Sequence, residues 1–254
     1  MLRCDQKILM VSPMRIQEVQ RGVKRIQLEM LLLKRLKLDC NVYAFQTKSG
    51  TSLFDCGPEE AVAILQSILG TEQINQVFLT HGHADHAGSG GYWLKRGVTV
   101  FAPEDDRAML RSGGPKTAPK AFRYPGFEPT GTISLGDRIA LNGEFDFVVI
   151  PTRGHTPGSV CYYDEHKDIL ISGDLLFGPL CGHMVTFLAE FLTAQRQSRM
   201  DLQSQIESLE NLVNNGVIKS TTLILPGHGP EYYLREKPSA IKRSLRLLRL
   251  CLRL

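Results

Sequence analysis

Residues 80–91 read THGHADHAGSGG, and the six positions from His81 hold three of the chain's seven histidines and an aspartate. Imidazoles and a carboxylate grouped this tightly are the donors of a zinc-type site. In an extended segment residues two apart point the same way, so His81 and His83 can reach one ion together. With a helical turn starting at Ala84, Asp85 and His86 project differently and can serve a second ion nearby. Histidines in a solvated loop are the bland alternative, and an aspartate wedged among three of them argues against it. Three more positions share a strand-end setting: His155 in PTRGHTPGS, Asp174 in ILISGDLLF and His228 in LPGHGPE. Each alone reads as a turn or cap residue. Together with the cluster they read as ligands, and a two-ion site needs more than four.

The elements that must position these residues follow from pattern. GVKRIQLEM (22–30), NVYAFQT (41–47) and TSLFDCG read as strands, INQVFLT (74–80) as a buried strand running into the cluster, and VTVFAP (98–103) as another. PEEAVAILQSIL (58–69) opens on proline and glutamates and has helical apolar spacing. GGYWLKRG reads as a short helix, EDDRAMLRS as a second, and LLLKRLKLD (31–39) as an edge loop or a helical turn. Residues 112–131 are dense in Gly and Pro without a period, a long loop of the kind that covers a site. Strands resume at DRIALNG, FDFVVIPT, GSVCYYD and DILISGD, the last two joined by the turn DEHKD, where His166 reads as a solvated residue. FLAEFLTAQRQSRMDLQSQIESLENLVNNG reads as largely helical, stopping at Gly216, and TTLILPGHG (221–229) as a final strand and loop. Alternating strands and helices predict a layered α/β domain, with ligand sites gathered at strand ends.

Composition narrows the class. At 254 residues, 43% hydrophobic and 22% charged, the chain is an ordinary globular one. Its net charge of +4 is uneven, since residues 237–254 carry six Lys/Arg and no acid while the remainder is slightly acidic, which argues against a nucleic-acid groove. The six cysteines lie far apart with no C-x-x-C pair, as expected for free thiols in a reducing compartment. The start MLRCDQKILMVSP has too short an apolar run for a secretory leader, and no stretch is long enough to span a bilayer, so the expected location is cytoplasmic.

H-x-H-x-D-H, G-H-T-P-G, S-G-D and P-G-H-G-P in this order resemble the metallo-β-lactamase superfamily, and LFDCG (53–57) is similar to that family's early strand ending in D-x-G. The resemblance runs from about residue 20 to 235. It implies an α/β fold, a four-layer αβ/βα sandwich with the site in the cleft between two sheets, within a domain of residues 1–236. It also implies that His81, His83 and His155 hold one metal, that Asp85, His86 and His228 hold a second, and that Asp174 bridges both. Two zinc ions per chain are expected, with iron or manganese as alternatives. Two cations a few ångströms apart can share a hydroxide at neutral pH, and that hydroxide attacks a carbonyl carbon. Asp85 would orient the nucleophile and carry a proton to the leaving group. Asp55 reads as a support for a ligand loop or a histidine N–H, with a plain turn carboxylate as the alternative.

The expected activity is therefore hydrolysis of a small ester, thioester or lactone, in the branch that resembles hydroxyacylglutathione hydrolases and lactonases. A persulfide dioxygenase with one iron is the competing class, because those enzymes carry a similar H-x-H-A-D-H run followed by G-S-G. Against it, the segment after Asp174 lacks the arginine and aspartate expected beyond its Cys-Gly. A β-lactamase is disfavoured because Asp174 stands where those enzymes carry Cys or Ser. Of the neighbouring residues, His183 is placed to line the cleft, Cys181 reads as packing, Tyr92 and Trp93 read as caps of the short helix or as pocket wall, and Tyr232 and Tyr233 as core packing, with a substrate-facing position as the alternative. Residues 237–254 form a basic amphipathic helix with Arg243, Arg246, Arg249 and Arg253 on one side. Its leucine face is expected to dock on the domain or on a second subunit in a homodimer, in preference to a membrane surface. A monomer is the other expected state, and no nucleic-acid partner is expected.

Overall fold

The computed structural model describes residues 9–32, 36–70, 74–115, 123–178 and 199–253. Seven strands form one sheet in sequence order: β1 (Leu9–Gln20), β2 (Val23–Leu32), β3 (Leu36–Thr47), β4 (Gly50–Phe54), β5 (Ile74–Phe78), β6 (Thr99–Pro103) and β7 (Gly131–Ile133). The first four pair antiparallel and the last four parallel. Helices α1 (Val62–Leu69), α2 (Ala84–Ala87), α3 (Gly90–Lys95) and α4 (Arg107–Ser112) interleave with the parallel half. The second sheet runs β13-β12-β11-β10-β9-β8, built from β8 (Arg138–Leu141), β9 (Phe145–Pro151), β10 (Val160–Asp164), β11 (Ile169–Gly173), β12 (Leu223–Pro226) and β13 (Tyr232–Tyr233). Helices α5 (Arg199–Asn214) and α6 (Ala240–Arg253) pack on each other beside it.

Period-two alternation builds the layers. On β4 and β5, Leu53 and Val77 face the helices and Trp93, while Phe54 and Phe78 face the other sheet. On β10 and β11, Tyr162 and Ile171 turn inward, while Cys161 and Leu170 pack toward α5. Between the sheets lies an aromatic seam in which Phe54 meets Phe45, Phe147 and Tyr162 edge-on. The result is the expected four-layer αβ/βα sandwich. All four described cysteines are buried free thiols, and burial pushes Cys56 and Cys161 up to about 12, so neither is a nucleophile at neutral pH.

One reading is overturned, one strand is added and one loop is shortened. The described residues of 31–39 are strand, not an edge loop or a helical turn: β2 continues to Leu32 and β3 begins at Leu36, with Lys37 exposed and Cys40 buried, and residues 33–35 lie outside the described residues. Strand β1 was not anticipated. Its polar, proline-containing segment is legible only as an edge strand, where Pro13 sits beside a register shift in the pairing with β2. The loop expected over 112–131 contains Tyr124, which reaches the histidine cluster, and its last residue, Gly131, already belongs to β7. Residues 179–198, including Cys181, His183 and the first part of the expected long helix, lie outside the described residues. Trp93 lies within α3 as a core residue and not as its cap, its indole N–H donating to Ser89, and Tyr232 is buried.

The leucine side of α6 packs on α5, with Leu248 and Cys251 against Leu202 and Ile206 and an Arg249–Glu210 ion pair beside them. Leu248→Ala is expected to cost about 2 kcal/mol in urea-induced unfolding, the low end for a buried leucine because the cavity opens to the surface. An unchanged midpoint would mean that the helix is not docked in solution. Among the described residues no helix is long and apolar enough to cross a membrane.

Candidate metal centre

The seven residues that the resemblance implies as ligands converge in the cleft between the sheets. His81 follows β5, and His83 is the extended N-cap of α2, with φ −73° and ψ 155°. The single turn of α2 then swings Asp85 and His86 to the neighbouring position, as the helical-turn reading requires. Second-sheet loops deliver the rest: His155 after β9, Asp174 after β11 and His228 after β12.

Their donor atoms form three overlapping groups, His81–His83–His155, His81–His86–Asp174 and Asp85–His86–His228, each with atoms within 4.8 Å of one another. Asp174 is central. Its Oδ1 lies 3.2 Å from His86 Nε2, and its Oδ2 lies 3.2 Å from both His155 Nε2 and His228 Nε2. Asp85 Oδ2 stands 3.7 Å from His86 Nε2 and 3.6 Å from His228 Nε2. Asp85 is also the most open of these carboxylates, its side chain 23% exposed against 7% for Asp174.

The outer nitrogens of His81, His86 and His228 are occupied, which aims their inner nitrogens at the centre. His86 Nδ1 bonds Asp55 Oδ2 at 2.8 Å, His81 Nδ1 meets Thr80 Oγ1 at 3.0 Å, and His228 Nδ1 bonds the Asp39 carbonyl. A carboxylate or carbonyl on the outer nitrogen fixes the tautomer that leaves a lone pair inside. Asp55 also accepts the Thr80 N–H at 2.7 Å, from a left-handed backbone at φ 58° that aspartate tolerates. It is a support residue, as one of its two readings held. A further group was invisible in the sequence. Asn41 Nδ2 donates to the Pro226 and Gly229 carbonyls, and Tyr43 Oη donates to Pro226, so β3 clamps the His228 loop across more than 180 residues. No local pattern encodes such a contact. At Gly227 a Cβ would fall 2.2 Å from Asp174 Oδ1, so only glycine lets this loop pass the central carboxylate.

A cation fits this donor set. His81 Nε2 and Asp174 Oδ1 are buried without a hydrogen-bond partner, and both belong to the cluster. His83 Nδ1 and His155 Nε2 face each other at 2.9 Å, and His86 Nε2 and His228 Nε2 at 3.4 Å, the second a pair of acceptor nitrogens once Asp55 and the Asp39 carbonyl hold the outer N–H groups. The electrostatics agree. Burial, then neighbouring imidazoles, pull His81 well below its ordinary value and His83 down to about 3. Burial also opposes charge on His86 and His228, yet Asp174 and Asp85 outweigh it, raising His86 well above its ordinary value and His228 to about 10. Asp174 is held well below the usual carboxylate range, burial being outweighed by His228 and His86. The carboxylates thus demand positive charge at the centre, and the His81–His83 side demands neutral imidazole. Phe177, half-buried, stacks on the His228 ring with centroids 5.5 Å apart and forms one wall.

Comparison with known proteins places the chain in a family. The family model described as the metallo-beta-lactamase superfamily matches residues 36–228. The acyl-coenzyme A thioesterase MBLAC2 of Bos taurus is 30% identical over 59% of this chain, although the match spans only 54% of that relative. The probable metallo-hydrolase YybB of Bacillus subtilis is 24% identical over 77% of this chain and 84% of its own length. A metallo-beta-lactamase from Pontibacter korlensis superposes with a TM-score of 0.69 at 20% identity, covering 92% of this chain and 98% of that one. Sheet order, cleft position, histidine–aspartate cluster and family match agree, and the chain belongs to the metallo-beta-lactamase superfamily.

Proposed function

We propose that this chain is a zinc-dependent hydrolase holding two ions, with His81, His83 and His155 at one position, Asp85, His86 and His228 at the other, and Asp174 between them. The observation that carries the reading is the central place of Asp174, whose carboxylate oxygens lie 3.2 Å from His86 and His228 of one group and 3.2 Å from His155 of the other. A one-ion site would leave His86 and His228 without work. Bound there, zinc supplies an activated water at neutral pH and a Lewis acid for the carbonyl oxygen. The protein's own groups do the rest. Asp85, open to the cleft, takes the water's proton and passes it to the leaving thiolate or alkoxide as the acyl C–S or C–O bond breaks. Asp55, Thr80 and Asp39 keep the imidazoles oriented.

The substrate class is a small acyl compound, a thioester, ester or lactone. A thioester is favoured because the bovine relative is named for that activity. Elemental analysis of the purified chain should give two zinc ions, and a panel of acyl thioesters, esters and lactones should show turnover without oxygen uptake. One iron per chain together with oxygen consumption on glutathione persulfide would overturn the hydrolase in favour of a dioxygenase.

A further inference from the structure

Asp106 belongs to none of the donor groups, yet it joins the two loops that present three of the histidines. It closes the short turn Glu104–Asp106 ahead of α4 and is fully buried. Its Oδ2 accepts the Gly82 N–H at 2.8 Å and the Thr156 hydroxyl at 2.7 Å, and its Oδ1 accepts the Gly158 N–H at 2.8 Å. Gly82 is the residue between His81 and His83, and Thr156 directly follows His155. One carboxylate therefore sets the spacing between the H-x-H segment and the G-H-T-P-G loop.

The chemistry of the pocket suits a carboxylate. All three of its partners are donors, and an ionised carboxylate, which only accepts, satisfies them with charge-assisted bonds. Close approach is built in as well. A Cβ on Gly158 would fall 2.7 Å from Asp106 N and 2.8 Å from its Cγ, so the second loop can reach the carboxylate only as glycine. On the first loop the Gly82 carbonyl accepts the Tyr124 hydroxyl at 2.7 Å, fixing the H-x-H linker from its other side. The His228 loop is held by other residues, Asp39, Asn41 and Tyr43, and no hydrogen bond of Asp106 reaches it.

We infer that Asp106 is a positioning residue for the His81–His83–His155 metal position alone; this rests on the two-ion reading above. Its action is geometric: it holds two backbone segments so that the three imidazoles meet one ion.

The test is zinc affinity of the full-length protein, measured by competition with a chromogenic chelator, with circular dichroism reporting the fold. Asp106→Asn sets an amide –NH2 against a donor, and should weaken one of two zinc-binding events by ~10–100-fold, the range for residues that orient ligands. In a His228→Ala protein, which retains only the three-histidine position, Asp106→Asn should cost the same factor. In a His155→Ala protein, where that position is already broken, it should leave the remaining event unchanged. Equal weakening of both events, or of neither, overturns the inference. Should Asp106→Asn fail to fold, Thr156→Val removes one donor while keeping the side-chain shape, and should show the same selectivity at several-fold. Wild-type affinity in Thr156→Val would then overturn the inference. A wild-type chain that binds no divalent ion overturns the two-ion reading itself, a result that needs no variant.

Discussion

His83→Ala is expected to abolish turnover, lowering kcat by at least ~1,000-fold in zinc-replete buffer, while the chain still folds. His83 is the N-cap of α2, so its backbone geometry does not depend on the ring, and the side chain makes no capping hydrogen bond. What the variant loses is the donor 2.9 Å from His155 Nε2. A three-ligand position reduced to two loses affinity and geometry together, and with them the Lewis acid that lowers the barrier. Elemental analysis should show the loss alongside the rate. More than a tenth of wild-type kcat would remove His83 from the metal position.

Asp85→Asn is expected to lower kcat by on the order of 100-fold, the range for a positioned general base. The amide is nearly isosteric and keeps one oxygen toward His86 and His228, so KM should move little. It can neither accept the water's proton nor return it. Steady-state kinetics separate the two roles. An unchanged kcat with a raised KM would show that the carboxylate shapes the pocket and carries no proton.

The site was more legible than its supports. Ligand residues must sit at strand ends and be His or Asp, and short spacings such as H-x-H-x-D-H survive in the primary sequence. All seven positions meet in one cleft, and the helical turn at Ala84 divides the cluster as its spacing implied. Tyr124, Asp39, Asn41 and Asp106 were silent because their bonds to the site run to or from backbone groups, or to residues on loops distant in sequence, and such contacts leave no mark in a sequence. The strands told a similar story. Leu53–Phe54 and Val77–Phe78 are buried on both sides and read easily as strand. Strand β1 has one paired edge and an exposed face carrying Met14 and Ile16, so its pattern carries little signal. Residues 31–39 mix Lys and Leu at a spacing that fits strand or helix, and only pairing with β2 decides between them.

The proposed ligands come from both halves of the sandwich, with His81, His83, Asp85 and His86 carried by the first sheet and His155, Asp174 and His228 by the second. An ion bound across that divide is a cross-link between two parts of the chain that are remote in sequence. It binds the assembled sandwich and not the unfolded chain, so by mass action it stabilises the folded state in proportion to the logarithm of its free concentration. A polypeptide with only one half formed would present an open fragment of the site and hold the ion weakly. Metal uptake would therefore report on the docking of the two sheets, and chelation would remove a link across the seam between them.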